Sequence, residues 1–278
     1  MNSRANENVW DDFRRALEHS ARRPLLNIVI LAAHPDDESI GASVLLTRSN
    51  ATVVYLTDGA PRDTGLWPPN MQCSREEYAA TRRLEAERAV TCAGVSPEQI
   101  VWLGAADQEG TFDVAKTAGM LARLLEQCRP EVLVTHSYEG GHPDHDACAL
   151  LARLAIDLIA EDEKPALVEM TSYHAREGSC VTGEFLNSDP SSELIVDLSE
   201  GQREVKQKML DAYASQELVL QYFDTKRERY REAPEYDFTR PAHDGKLWYE
   251  CMNWQMTSKR WCAIAREAMS EAKVLACR

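Results

Sequence analysis

The fold is decided by residues 28–39, which have the sequence IVILAAHPDDES. The run is apolar and rich in β-branched side chains up to His34, a pattern typical of a strand that is buried on both faces. Three carboxylates follow Pro35, where the free amides and the positive dipole end of a helix favour negative charge. The stretch therefore predicts a strand that delivers His34, Asp36 and Asp37 to its carboxyl end. An ordinary helix cap would explain the same residues if they stood alone.

A second stretch ends in the same way. Residues 131–136, EVLVTH, predict another short buried strand, and residues 137–146, SYEGGHPDHD, follow it. Pro143 suits the first position of a helix. His142 and His145 then lie around its first turn, three residues apart and able to face one point. Histidines and carboxylates thus follow two separate strands.

The remaining chain alternates apolar runs with helical patterns, which predicts parallel βαβ units. We expect an α/β, Rossmann-like fold of three layers, with a mostly parallel sheet in the order 3-2-1-4-5. In that order strands one and four flank the crevice where the winding reverses, so both motifs would meet in one cleft. Further strands are predicted at 51–57, 100–103, 166–170 and 194–196, and helices at 1–23, 36–48, 75–93, 114–128, 144–159, 203–215 and 257–275.

Length and composition indicate the class of protein. The 278 residues, 44% of them hydrophobic, suit a single domain with a core at about 24–216 and a C-terminal extension at about 217–278. A net charge of −14 argues against a nucleic-acid partner. We expect a cytoplasmic protein without a membrane span, because no apolar stretch of about 18 residues occurs and the N-terminus is charged. The N-terminal helix packs either on the first strand or on a second subunit, so a homo-oligomer stays open.

The two motifs together resemble those of the LmbE-like family of zinc-dependent de-N-acetylases, named after the PIG-L enzyme of glycolipid-anchor synthesis. Its hallmarks are an Ala-His-Pro-Asp-Asp-Glu motif after the first strand and a later His-x-x-His. In this chain they are residues 33–38 and 142–145. Weaker similarities extend to about residue 216, at Arg82, Glu85, Lys206, Ser215 and Gln216.

The resemblance implies a set of roles. His34, Asp37 and His145 would bind zinc, and three such ligands leave a position for water. Imidazole and carboxylate ligands also suit Fe²⁺, Mn²⁺ or Co²⁺. Asp36 would be the general base and His142 would stabilise the oxyanion.

The implied function is hydrolysis of the N-acetyl group of an amino sugar or of a small conjugate that contains one. Arg62, after strand two, and Asp107, after strand three, lie on the cleft rim in this topology. Similar family positions contact substrate, so we expect these two residues to bind the N-acetylated sugar. The sequence does not identify the exact substrate, the metal or the oligomeric state.

Other functions were weighed against this one. A metal-dependent amidase that acts on a thiol conjugate or another small amide needs the same chemistry. A dinucleotide-binding oxidoreductase is disfavoured, because His-Pro-Asp-Asp replaces the glycine-rich turn after strand one. A non-catalytic binding protein is disfavoured by the presence of both the ligands and the base.

Overall fold

The computed structural model describes residues 3–18, 26–69, 71–187 and 189–276. Its strands are β1 (Asn27–Ala32), β2 (Asn50–Thr57), β3 (Ile100–Ala105), β4 (Val132–His136), β5 (Ala166–Met170), β6 (Tyr173–Arg176), β7 (Ser179–Thr182), β8 (Leu194–Asp197) and β9 (Arg227–Glu232). Its helices are α1 (Ser3–Glu18), α2 (Asp37–Gly41), α3 (Ser43–Arg48), α4 (Arg75–Cys92), α5 (Val114–Cys128), α6 (Pro143–Asp157), α7 (Glu200–Asp211), α8 (Glu217–Leu220), α9 (Trp248–Cys251) and α10 (Ser258–Ala276).

The main sheet confirms the predicted strand order. Its order is β3-β2-β1-β4-β5-β9-β8, and the first five strands run parallel. The last two strands pair antiparallel and extend the β5 edge. Strands β1 and β4 are direct neighbours, with Ile28 opposite Val132 and Ile30 opposite Val134. Their carboxyl ends therefore lie side by side.

Helices cover both faces of the sheet, as the three-layer prediction requires. Val29 and Leu31 of β1 pack with α5, α6 and α10 in one core. The alternate residues Ile28 and Ile30 pack with α1, α3, α4 and α7 in the other. Both faces of β1 are thus buried, which explains its continuous apolar sequence.

Helix α1 packs within this subunit. Phe13 and Leu17 are buried, and the Phe13 ring meets Tyr230 edge-on at 5.6 Å. The helix lies against α3 and the β5 and β8 strands, and its buried residues share a core with Ile28 and Ile30 of β1. Among the described helices, none combines the length and apolar character needed to cross a membrane. The cytoplasmic location stays a prediction.

The predicted helix 36–48 is wrong in one respect, because it is two helices that meet at Ala42. Ala42 has φ −140°, outside the helical region. The amides of Ser43 and Val44 donate to the carboxylate of Glu228, at 3.0 and 3.1 Å, in place of carbonyls of the preceding turn. A carboxylate from β9 therefore caps α3 at its N-terminus. His34 is also not the last strand residue as predicted, since β1 ends at Ala32.

Two further differences concern the second half of the chain. The region around Tyr173 and His174, where no strand was predicted, is the β6–β7 hairpin. The helix expected at 203–215 is α7, followed by a short 3-10 turn at Ala214–Gln216. In both places polar residues and short runs hide the periodicity that sequence analysis depends on.

Glu228 is held in turn by a fully buried lysine. The Lys206 Nζ lies 2.9 Å from Glu228 Oε1, and both side chains have 0% exposure. The same ammonium donates to the Ile40 carbonyl at 2.6 Å. The Lys206–Glu228 pair therefore joins α7 and β9 to the helix break behind the first motif.

We predict that Lys206→Met lowers the free energy of unfolding by about 3–5 kcal/mol, because it leaves the Glu228 carboxylate buried without its cation. Lys208→Met, on the exposed side of the same helix, should cost less than about 0.5 kcal/mol. Urea denaturation measures both. Equal losses in the two variants would show that the buried pair has no special role.

Candidate active site

The two motifs meet in one buried cluster at the carboxyl ends of β1 and β4. One ligand atom each of His34, Asp37 and His145 lies within 4.8 Å of the others. His34 Nδ1 is 3.3 Å from Asp37 Oδ2, and His145 Nε2 is 3.2 Å from Asp37 Oδ1. The structure thus brings together the three side chains that the sequence predicts as metal ligands.

Outward contacts orient both imidazole rings. His34 Nε2 lies 3.2 Å from Asp144 Oδ2, and His145 Nδ1 lies 3.3 Å from Ser172 Oγ. Two amides of the loop after β3 also donate to the Asp144 carboxylate, at 2.8 and 2.9 Å. Because one nitrogen of each ring is engaged outward, the other is free to face the cluster. Sequence analysis missed Asp144, which looked like an ordinary residue of the first helical turn.

The donor set fits a divalent transition metal. Two imidazole nitrogens and one carboxylate are ligands that catalytic zinc sites use. Burial alone would raise the pKa of Asp37, but the neighbouring His145 and His136 rings hold this pKa well below its usual range. The carboxylate is therefore ionised, as a ligand must be.

A second acidic group overlaps this cluster but fits a metal less well. His34, Asp107, His142 and Asp144 also bring ligand atoms within 4.8 Å of one another. Both oxygens of Asp144, however, already accept hydrogen bonds from backbone amides. This group is better described as the outer support of His34.

Asp36 occupies a strained backbone position beside the cluster. Its φ of 129° is rare for a residue with a side chain, and such outliers concentrate at functional sites. Burial and the nearby Asp37 raise the pKa of Asp36 to about 7, against the opposing effect of Arg82. A carboxyl group with that pKa can accept and return a proton at neutral pH.

Arg82 holds the Asp36 carboxylate. Its Nη2 lies 2.9 Å from Asp36 Oδ2, and it also donates to the Pro35 carbonyl. Arg82 is buried and pairs with Glu85 at 3.4 Å. Glu85 in turn accepts from the Ser215 amide at 2.8 Å and its hydroxyl at 2.6 Å. The weaker sequence similarities thus converge behind Asp36.

His142 is the N-cap of α6. Its Nδ1 accepts a hydrogen bond from the Asp144 amide at 3.1 Å, so the neutral ring carries its proton on Nε2. That nitrogen lies 2.6 Å from Gln108 Nε2, so the Gln108 amide must turn its oxygen toward the ring to accept from it. Burial and the His34 and His145 rings lower the pKa of His142 well below its usual range. The ring is therefore a neutral hydrogen-bond donor that faces the cavity.

His136 is a site residue to which sequence analysis gave no role. Its ring stacks on His145 with centroids 4.0 Å apart, and its Nε2 accepts from the Ala33 amide at 3.1 Å. The same nitrogen is 3.3 Å from Asp37 Oδ2. Its position at the end of β4 was the signal, since the same strand leads into the second motif.

The glycine pair before His142 allows a close backbone approach. A Cβ on Gly141 would lie 1.9 Å from the carbonyl oxygen of Tyr173, an atom that cannot move aside. Gly140 has φ +69°, and a Cβ there would meet Leu247 at 2.5 Å. The second motif is therefore packed tightly between the β6 strand and the C-terminal extension.

The cluster opens into a cavity of about 160 Å³. Its walls include both motifs together with Asp107, Tyr173 and Trp254. Asp107 Oδ1 is buried and lies 3.3 Å from His34 Nε2. Arg62 does not line this cavity but an adjoining one, where its Nε lies 2.8 Å from Glu109 Oε1. Of the two expected rim residues, only Asp107 lies next to the cluster.

Known proteins resemble this chain in both sequence and fold. A mycothiol S-conjugate amidase from Streptomyces coelicolor is 30% identical over 162 residues, which cover 50% of this chain and 54% of that protein. A 1D-myo-inositol 2-acetamido-2-deoxy-alpha-D-glucopyranoside deacetylase from Streptomyces griseus is 29% identical over 165 residues, 50% of each chain. The chain thus spans about half the length of these relatives.

Solved structures share the fold. The N,N'-diacetylchitobiose deacetylase from Pyrococcus horikoshii has a TM-score of 0.56 at 19% identity, over 82% of this chain and 92% of that one. At this identity the likeness shows the fold alone. Residues 29–156 match the family model described as PIG-L, GlcNAc-PI de-N-acetylase. That range contains both motifs and the β1 to β4 half of the site, so the part of the chain that carries the candidate site matches a PIG-L (LmbE-like) family domain.

Proposed function

We propose that this protein is a metal-dependent hydrolase that removes the N-acetyl group from an amino sugar or amino-sugar conjugate. The observation that carries the proposal is the buried His34–Asp37–His145 cluster, which opens into the same cavity as Asp36. The names of the two relatives described above, an S-conjugate amidase and an acetamido-sugar deacetylase, both denote enzymes that cleave an amide.

His34, Asp37 and His145 would hold the metal, and zinc suits their nitrogen and oxygen donors best. Fe²⁺, Mn²⁺ and Co²⁺ suit the same ligands. When bound there, the metal polarises the acetamide carbonyl and lowers the pKa of a water molecule. The outward contacts with Asp144 and Ser172 keep both rings aimed at it.

Asp36 acts as the general base and then as the general acid. Its carboxylate removes a proton from the attacking water and passes it to the amine that leaves. Arg82 fixes the carboxylate on one side, at 2.9 Å. The raised pKa of Asp36 makes both directions of transfer feasible near neutrality.

His142 stabilises the oxygen that gains negative charge in the transition state. Its neutral ring donates from Nε2, because Nδ1 is occupied by the Asp144 amide. A donor already held in place by the helix N-terminus costs no reorganisation when the charge develops.

Asp107 binds a substrate hydroxyl, since its carboxylate lines the cavity next to His34, 3.3 Å from Nε2, and a carboxylate has acceptor capacity beyond that one contact. Arg62 contributes from the adjoining cavity, where it reaches a more distant part of the substrate. The substrate is accordingly a small N-acetylated sugar.

An amidase that acts on a thiol conjugate is the second candidate. The similarity to the mycothiol S-conjugate amidase favours it, and its chemistry would use the same residues in the same roles. The two candidates differ only in the acyl group that leaves with the water oxygen.

We predict about one divalent metal per chain, removable by a chelator. Replacing His34, Asp37 or His145 by Ala removes one of only three protein ligands, so each variant should lose metal and activity together. Elemental analysis of the purified variants measures the metal. Full occupancy in all three variants would refute the ligand assignment.

We predict release of acetate from N-acetylglucosamine or its glycosides by the metal-loaded protein. A panel that also contains a cysteine-type thiol conjugate with an N-acyl amino sugar separates the two candidates. Acetate release from the sugars supports deacetylation. Cleavage of the thiol conjugate without acetate release from any sugar would instead establish the amidase.

We predict that Asp36→Asn keeps the metal but lowers kcat by roughly 10² to 10⁴, because it removes the base and little else. His142→Ser retains an N-cap oxygen while it removes the ring, and should lower kcat by about 10² to 10³ with KM less affected. His145→Ala is the contrasting variant and should lose the metal. Loss of metal from the His142 variant alone would reverse the roles of the two histidines.

A further inference from the structure

A second cavity adjoins the active site. Its volume is about 510 Å³, and it shares Leu66, Asp107, Gln108 and Trp254 with the wall of the first. The two cavities are therefore neighbouring parts of one surface.

The lining of the second cavity includes exposed apolar side chains. Leu66, Phe112 and Met252 are 40%, 46% and 47% exposed. Large apolar residues gathered at one concave site on a protein surface mark binding surfaces more often than single exposed ones do. Methionine and aromatic side chains adapt well to an apolar ligand.

Both arginines of this cavity already have partners. Arg62 pairs with Glu109 at 2.8 Å. The Arg260 guanidinium lies 5.3 Å from the centre of the Phe112 ring and donates to the Gln255 carbonyl at 3.3 Å. Beside these paired groups, the cavity offers a ligand apolar contact from Leu66, Phe112 and Met252.

The C-terminal extension fixes this lining in place. The Glu250 carboxylate accepts hydrogen bonds from the Leu247 amide at 3.1 Å and the Ser258 amide at 2.8 Å, and so closes the loop between α9 and α10. Trp261 Nε1 donates to the Pro143 carbonyl at 3.1 Å, at the start of α6. Trp254 of that loop contacts the His142 ring, with centroids 4.8 Å apart. The loop is thus positioned against the second motif before any ligand binds.

We propose that the second cavity is a subsite for an apolar or aromatic group attached to the amino sugar, with Phe112 and Met252 as its specificity-determining residues. The inference rests on the proposed function, which places the acetamido group at the cluster. Trp254 borders both cavities and lies where the sugar meets its substituent.

The test compares N-acetylglucosamine with its phenyl glycosides, as α and β anomers, on the metal-loaded full chain. We expect wild type to prefer one phenyl glycoside in kcat/KM by roughly tenfold. Phe112→Ser and Met252→Ser should each reduce that preference by roughly 3- to 10-fold, through KM of the glycoside alone. Leu84→Ser, which removes an equally exposed apolar side chain from α4 outside both cavities, is the matched control and should change nothing.

Binding of phenyl glucoside, which lacks an acetamide, separates this inference from the proposed function. Calorimetric binding that weakens in the Phe112 and Met252 variants supports the subsite even if no sugar is deacetylated. Deacetylation with an unchanged glycoside preference in both variants overturns the subsite and leaves the function intact. Failure of phenyl glucoside to bind, or a preference for a polar disaccharide that neither variant alters, also overturns it.

Discussion

The site depends on the direct pairing of β1 with β4. Ile28 pairs with Val132, which is 104 positions later in the sequence, and this pairing brings both motifs to one edge of the sheet. A parallel pair requires long crossovers, and the βαβ units between them supply these. Asp37 from the first motif then lies between His34 of its own strand end and His145 of the second. Every other feature of the site supports these three side chains or faces the space in front of them.

The strained conformation of Asp36 is maintained by residues of α4 and of the segment that follows α7. Arg82 on α4 binds the Asp36 carboxylate and the carbonyl of the preceding residue. Glu85 pairs with Arg82, and Ser215, four residues after α7, donates to Glu85. A positive φ at a residue with a side chain persists only where the surroundings over-determine it. This chain of contacts provides that constraint. It also explains why a polar helix of low amphipathicity, α4, contributes a buried arginine to the interior.

The sequence was sufficient for the order of the first five strands, because their continuous apolar runs and alternating helices leave few topologies open. The same patterns placed the two motifs at neighbouring strand ends, and the resemblance to the LmbE-like family singled out His34, Asp37 and His145 within them. The break at Ala42 was not predictable, since its cause is Glu228, 186 positions further along the chain. Asp144 escaped notice for a similar reason: its role lies in long-range contacts with His34 and with amides of the loop after β3. Arg62 was placed on the rim by topology alone, which fixes the strand end but not the direction of an exposed side chain.

Part of the site lies in the residues that match the family model and part lies outside them, and this division bears on how the protein selects its substrate. Residues 29–156 contain all three proposed ligands, the proposed base and the proposed oxyanion donor. Other wall residues in this range include Leu66, Asp107 and Gln108, and later parts of the chain add Tyr173, Gln216, Val219, Phe223 and Trp254. Reaction chemistry needs fixed geometry at a few atoms, whereas the fit to a substituent depends on the shape of a larger surface. A hydrolase of this kind can therefore keep its chemistry constant while its later segments vary. In this chain the tight packing of Leu247 on Gly140 and of Trp254 on His142 couples the two parts, so the surface that selects the substrate also buttresses the second motif.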